Sequence, residues 1–194
     1  MGASADARRL CETLAKMDDH RPDRQVQARK GSTIERVSAR RLDVPLKKPF
    51  GIAGGTQHVA ANVLVEIALD GGVRGWGEGA PFPAFNGETQ EQALAGCLRA
   101  APLLAGVDVE DEESVTERIN AARTASPSAV CAIETAIIDC RARLRGISIR
   151  ELLGGAGQDV ITDVTITTGG VEEAARDARA FAAFTILKAK VGGD

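Results

Sequence analysis

Lys188 and Lys190 interrupt an otherwise apolar, strand-like run, TILKAKV, near the end of a 194-residue chain. Alternate residues of a strand point to one side, so the two ammonium groups project together, roughly 6 to 7 Å apart. Amines held that close disfavour each other's protonation, which lowers a pKa and frees one of them to act as a base near neutral pH. The plainer reading is that both lysines snorkel from a strand end into water. Position favours chemistry: in α/β folds, sites assemble at the C-terminal ends of parallel strands.

The elements around the pair place it there. VITDVTITT is strand-like, GVEEAARDARAFAA is helical with Val171, Ala174, Ala178 and Phe181 on one face, and TILKAKV is strand-like again. Strand, helix, strand within about 30 residues is a βαβ unit with parallel strands. Leu187 and Ala189 are expected to face the layer between strand and helix. Two parallel strands cannot bury both faces or close their edges. The second domain, residues 160–194, is therefore expected to be truncated after its second strand.

Residues 34–154 follow a different grammar. IERVSARRLDVPL, AANVLVEIALD and VRGWGEGA alternate in the manner of strands, and Asp70-Gly71-Gly72 is a hairpin turn between the last two. Val63, Val65, Ile67 and Leu69 share one face, giving a three-stranded antiparallel meander. Thr89 and Gln92 form a capping-box pattern opening a helix toward Gly106, with Pro102 disturbing its end. A polar helix is expected from Glu110 to Arg123. Ser126-Pro127 opens another, with Val130, Ile133, Ile137, Cys140 and Leu144 as its buried stripe and Gly146 as its stop. Arg141, Arg143 and Arg145 suit the negative end of that helix. Gly154, Gly155 and Gly157 read as a linker, since no Lys-Ser or Lys-Thr follows to make a phosphate loop. Residues 1–33 read as a partly disordered extension with a short helix about Ala7 to Met17.

Composition narrows the function. Hydrophobic residues make up 44% and charged residues 26%, the balance of a globular protein. A net charge of -3 without a basic face argues against nucleic acid. Cys11, Cys97, Cys131 and Cys140 have no CxxC spacing, and His20 and His58 are the only histidines, so zinc and iron–sulfur sites lack ligands. Four reduced cysteines suit a cytoplasmic protein. No run reaches the roughly 20 apolar residues of a membrane span.

The meander, the helix AVCAIETAIIDCRARLRGISIRELLGG, then TDVTITT and LKAKVG resemble the enolase superfamily in its muconate lactonizing enzyme branch. The resemblance is closest to dipeptide epimerases such as those acting on L-Ala-D/L-Glu and covers about residues 34 to 194. It implies an α+β capping domain followed by the first βαβ of a (β/α)₈-type barrel. It also implies Mg²⁺-assisted removal of the proton alpha to a carboxylate by a lysine base, the chemistry of the superfamily. That proton is weakly acidic, so the base must be a neutral amine and the developing charge needs cations. By resemblance Lys190 is the acid/base on one face and Lys188 its tuning partner. Thr165 lines the site, and Lys47 to Val59, with Ile52 and His58 toward substrate, form a mobile covering loop. Gly77 to Thr89 match a second covering loop, in which Trp76, just before it, and Glu78 are read as structural.

The resemblance places the Mg²⁺ carboxylates on the third to fifth barrel strands and a second lysine later still, so no metal ligand is expected within this chain. By itself it is not expected to epimerise anything. Muconate cycloisomerase and o-succinylbenzoate synthase share the lysine pair and stand as alternatives, as does a noncatalytic cap-like module. The implied partner is a small dipeptide, with a homo-oligomer open for the complete enzyme.

Overall fold

A computed structural model describes residues 31–52, 55–123, 126–157, 159–167 and 169–190, without the side chains of 121–123. The helix expected about Ala7 to Met17, Cys11 and His20 lie outside the described residues. Three strands, β1 (Ile34–Ile52), β2 (Gly55–Leu69) and β3 (Arg74–Gly79), pair antiparallel in the order β1-β2-β3. Val63, Val65, Ile67 and Leu69 are all fully buried, which confirms the alternation read from the sequence. The turn at Asp70 to Gly72 does double duty: its Asp70 carboxylate accepts a bond from the Thr33 N–H at 3.1 Å. Residues 31–33 are thus built into the fold, with Thr33 bridging Asp108 and Ser32 fully buried, although the sequence assigns them to the extension.

The helices pack on one face of this sheet. They are α1 (Pro83–Asn86), α2 (Gln90–Leu104), α3 (Glu112–Arg123), α4 (Pro127–Arg145) and α5 (Ile149–Leu152). Thr89 and Gln92 exchange the two bonds of a capping box, and the Ser126 hydroxyl accepts from the Ala129 N–H at 3.0 Å. Pro102 lies inside α2 without ending it: the helix continues to Leu104, giving up the bond that the missing N–H would have made. Gly146 closes α4 in the left-handed conformation at φ 65°. The three arginines of α4 do more than face its dipole. Arg141 donates to the Val109 carbonyl, Arg145 pairs with Glu110, and Arg143 pairs with Asp139.

What lets α4 lie so close to β3 is a row of glycines. A Cβ on Gly75 would come within 2.4 Å of the Ala136 carbonyl oxygen, on Gly77 within 1.9 Å of that of Ala132, and on Gly79 within 2.4 Å of that of Ser128. Successive glycines two apart on the strand meet helix residues four apart, so strand and helix touch backbone to backbone.

After α5 the chain forms β4 (Val164–Ile166), α6 (Val171–Ala180) and β5 (Leu187–Ala189), with β4 and β5 parallel. This is the expected βαβ unit, with one correction. Leu187 is 41% exposed and Ala189 is also exposed, so neither lies in a strand–helix layer. Ile166 is the residue of this unit that is buried. A ten-residue helix reaches over β4 and leaves the outer strand bare.

Candidate active site

The parallel register sets Thr165 opposite Lys188 and Ile166 opposite Ala189, and the Lys190 N–H extends the ladder to the Ile166 carbonyl at 2.9 Å. Paired residues of neighbouring strands project to the same side. Thr165, Lys188 and Lys190 therefore share one face, and buried Ile166 lies on the other. Lys188 is exposed and Lys190 half-buried. Among the described residues neither ammonium is paired with a carboxylate. Two amines and a hydroxyl at the C-terminal ends of parallel strands can take up a proton and hold a carboxylate.

Ile52 and His58 lie elsewhere, on the β1–β2 hairpin, and no hydrogen bond or ion pair among the described residues joins them to the lysines. The segment expected as a covering loop is a paired ribbon: β1 runs past Leu46 to Ile52, and Gly51 pairs with Thr56. The ladder slips between Pro45 and Phe50, where Pro45 and Pro49 have no N–H to donate. His58 is exposed and Ile52 half-buried. The hairpin rests on the second expected covering loop, since Phe50 and Phe82 have ring centroids 6.3 Å apart and Gly55 leaves room for the Ala84 methyl.

That second loop is anchored by Glu88, which the sequence does not single out. Its carboxylate is buried and accepts bonds from both serine hydroxyls at the start of α4, that of Ser128 at 2.6 Å, and from the Ser128 N–H at 3.2 Å. Burial pushes its pKa up, but the bonds from Ser126, Ser128 and Asn86 outweigh it and hold the group below its ordinary 4.5. A carboxyl whose folded-state pKa is depressed adds stability above its unfolded pKa and loses it as pH falls through the folded value. Glu88→Gln is therefore expected to cost about 2 kcal/mol at pH 7. In urea titrations at several pH values, that deficit should shrink below pH 4.5.

Gln90 extends the anchor, its amide donating to Asp43 at 2.7 Å and to the Asn62 carbonyl at 2.8 Å. Asp139 caps the outer strand, accepting from the Trp76 N–H at 2.9 Å, while Glu78 accepts from Asn62. The Trp76 backbone and the Glu78 carboxylate thus have partners within the cap.

Among the described residues an ion pair crosses from the cap to the βαβ unit: the Lys48 ammonium, in the irregular stretch of β1, bonds the Asp177 carboxylate on α6. The lysine is mostly exposed, so the pair contributes about 1 kcal/mol or less. Asp177→Asn is expected to speed amide hydrogen exchange across residues 46–52 by a few-fold, reading as faster local opening without loss of global stability.

The cysteines offer no nucleophile inside the fold. Burial pushes the Cys97 thiol up to about 11 and the Cys140 thiol up to about 12. Among the described residues no group of three or more His, Cys, Asp or Glu side chains is placed to hold a metal, so they do not fit a Mg²⁺ site. No helix among them is long and apolar enough to cross a membrane.

Residues 36–154 match the family of the mandelate racemase/muconate lactonizing enzyme N-terminal domain. The chain belongs to this family. It is 39% identical over 160 residues to the aromatic dipeptide epimerase of Herpetosiphon aurantiacus, covering 82% of this chain and 45% of that protein. The solved L-Ala-D/L-Glu epimerase of Bacillus subtilis is 33% identical, with a TM-score of 0.79 over 84% of this chain and 46% of its own. The dipeptide epimerase of Enterococcus faecalis V583, solved with Mg and the dipeptide L-Leu-L-Tyr, is 30% identical, with a TM-score of 0.76 over 83% and 46%. The chain spans about half the length of the curated relatives it matches. Within this mandelate racemase/muconate lactonizing enzyme family, the meander and its helices are the N-terminal capping domain, and β4–α6–β5 follows the matched residues.

Proposed function

We propose that this chain supplies the covering elements and the lysine half of a dipeptide epimerase site. The observation that carries the reading is the shared face of Thr165, Lys188 and Lys190 at the ends of two paired parallel strands. Lys190, as a neutral amine, takes the proton alpha to the dipeptide carboxylate. The Lys188 ammonium offsets the charge that develops on that carboxylate, and Thr165 donates a hydrogen bond beside it. Returning a proton to the same face restores the starting epimer. Inversion needs an acid on the opposite face, which together with the carboxylates for Mg²⁺ comes from outside the described residues. The hairpin and the Gly77 to Thr89 loop close over the dipeptide and exclude water.

The test joins residues 31–190 to the part of the Herpetosiphon aurantiacus epimerase that lies beyond its match to this chain. With Mg²⁺, the folded chimera is expected to epimerise a dipeptide, while the 194-residue chain alone does not. A folded, inactive chimera would count against the reading.

A further inference from the structure

A groove of about 340 Å³ opens between α3 and α4. Val115, Ile119 and Ile137 close its floor and are buried, while half-buried Ile138 and exposed Thr116 stand on its walls. Its charged lining is Glu112 and Glu134 against Arg141, and Arg141 is held by the Val109 carbonyl and by Glu112, 3.6 Å away. Glu110 beyond it is taken by Arg145. Along α3, Glu112, Glu113 and Glu117 come first, and arginine follows only at Arg118 and Arg123.

The chain enters the cap beside this groove. The Ser32 carbonyl accepts from the Val109 N–H at 3.0 Å, and the Val109 carbonyl is the one that holds Arg141. Residues 1–30, outside the described residues, therefore join the fold at the Glu112–Arg141 end. Their sequence holds one segment suited to the groove. Ala7, Leu10, Cys11, Leu14 and Met17 recur at helical spacing, and Asp6 before them is a good N-cap residue. Glu12 and Lys16, four apart, can pair with each other, which leaves Arg8 and Arg9 at the start and Asp18 and Asp19 just past the end. Laid parallel to α3, the arginines meet Glu112 and Glu113 and the aspartates fall at the arginine end. Residues 18–30 can span about 40 Å, against about 18 Å for the length of α3, so the connection reaches.

We propose that residues 7–17 dock as a helix in the groove between α3 and α4 of their own chain, with Leu10 and Leu14 over its floor. Apolar anchors at i, i+3, i+4 and i+7 seated in a groove between helices are a recurrent mode of recognition, and docking takes those side chains out of water. This docking is independent of the epimerase reading.

The test compares amide spectra of the ¹⁵N-labelled 194-residue chain with those of a Leu10→Asp/Leu14→Asp variant, whose changes lie outside the cap core. The variant is expected to differ at Thr116, Ile119, Ile138 and Arg141 and to exchange its α3 amides about tenfold faster. Arg8→Glu/Arg9→Glu is expected to move the same amides part of the way at low salt. Unchanged amides in either variant overturn the proposal. So does a difference that vanishes on dilution, with a doubled mass by light scattering before it, since the groove is then filled from a second copy.

Discussion

Lys190→Ala in the active chimera is expected to slow exchange for solvent deuterium of the α-proton of the epimer that presents it to Lys190 by about 10²- to 10⁴-fold, the range lost with a positioned general base. The size follows from the task. The α-proton next to a carboxylate is weakly acidic, and an alanine methyl can neither accept it nor pass it to water. Lys190 is half-buried at the end of the β4–β5 ladder, its N–H fixed to Ile166, so its backbone position survives the change. Lys188→Ala is expected to lose less, because an exposed ammonium acts on charge rather than on the proton itself. A loss as large for Lys188 as for Lys190 in ¹H NMR exchange rates would reverse the two roles.

Gly77→Ala is expected to destabilise the cap by about 3 kcal/mol or more, at the upper end of overpacking effects. Its new methyl carbon would lie 1.9 Å from the Ala132 carbonyl oxygen and 2.6 Å from the Ala136 N–H nitrogen. Both are backbone atoms of the middle of α4, so no side chain can rotate aside. The helix must lift from β3, and with it Ile133 and Ile137 leave the core. Gly87→Ala is the matched control, since its Cβ would meet open space and only its φ of 79° is unfavourable, at about 1 kcal/mol. Urea denaturation of the two variants should separate them clearly. Equal midpoints would mean that the close contact of β3 and α4 is not what holds this face together.

Much of this was legible in the chain. Caps and turns are local chemistry, so Thr89, Ser126-Pro127, Asp70-Gly71 and Gly146 could be read without tertiary knowledge. The alternation of Val63 to Leu69 likewise announces one buried face. The glycine row was present as a signal, Gly75, Gly77 and Gly79 against Ser128, Ala132 and Ala136, but its meaning depends on knowing that β3 and α4 meet. Pro45 and Pro49 argue locally for the end of a strand, and pairing with β2 overrides them at the cost of one slip in register. Leu187 reads as buried because its strand is apolar, yet burial depends on what covers it, and α6 reaches β4 instead. Glu88 and Asp177 carry no local pattern at all. Their partners are 38 and 129 residues away, so only the folded chain shows what they hold.

The lysine face follows the opposite course. Spacing alone placed Lys188 and Lys190 on one side, and the parallel register added Thr165 to them. Ile52 and His58 belong to a different element, the hairpin, which reaches the βαβ unit through the Lys48–Asp177 pair rather than through any bond of theirs.

The measurement that bears most directly on Lys190 as a base acting from one face is deuterium wash-in, followed separately for each epimer of one dipeptide, in the chimera and its Lys190→Ala variant. Loss of exchange from one epimer only, with exchange and retained configuration in the other, is the predicted result. Wild-type exchange rates from both epimers in the variant would contradict it.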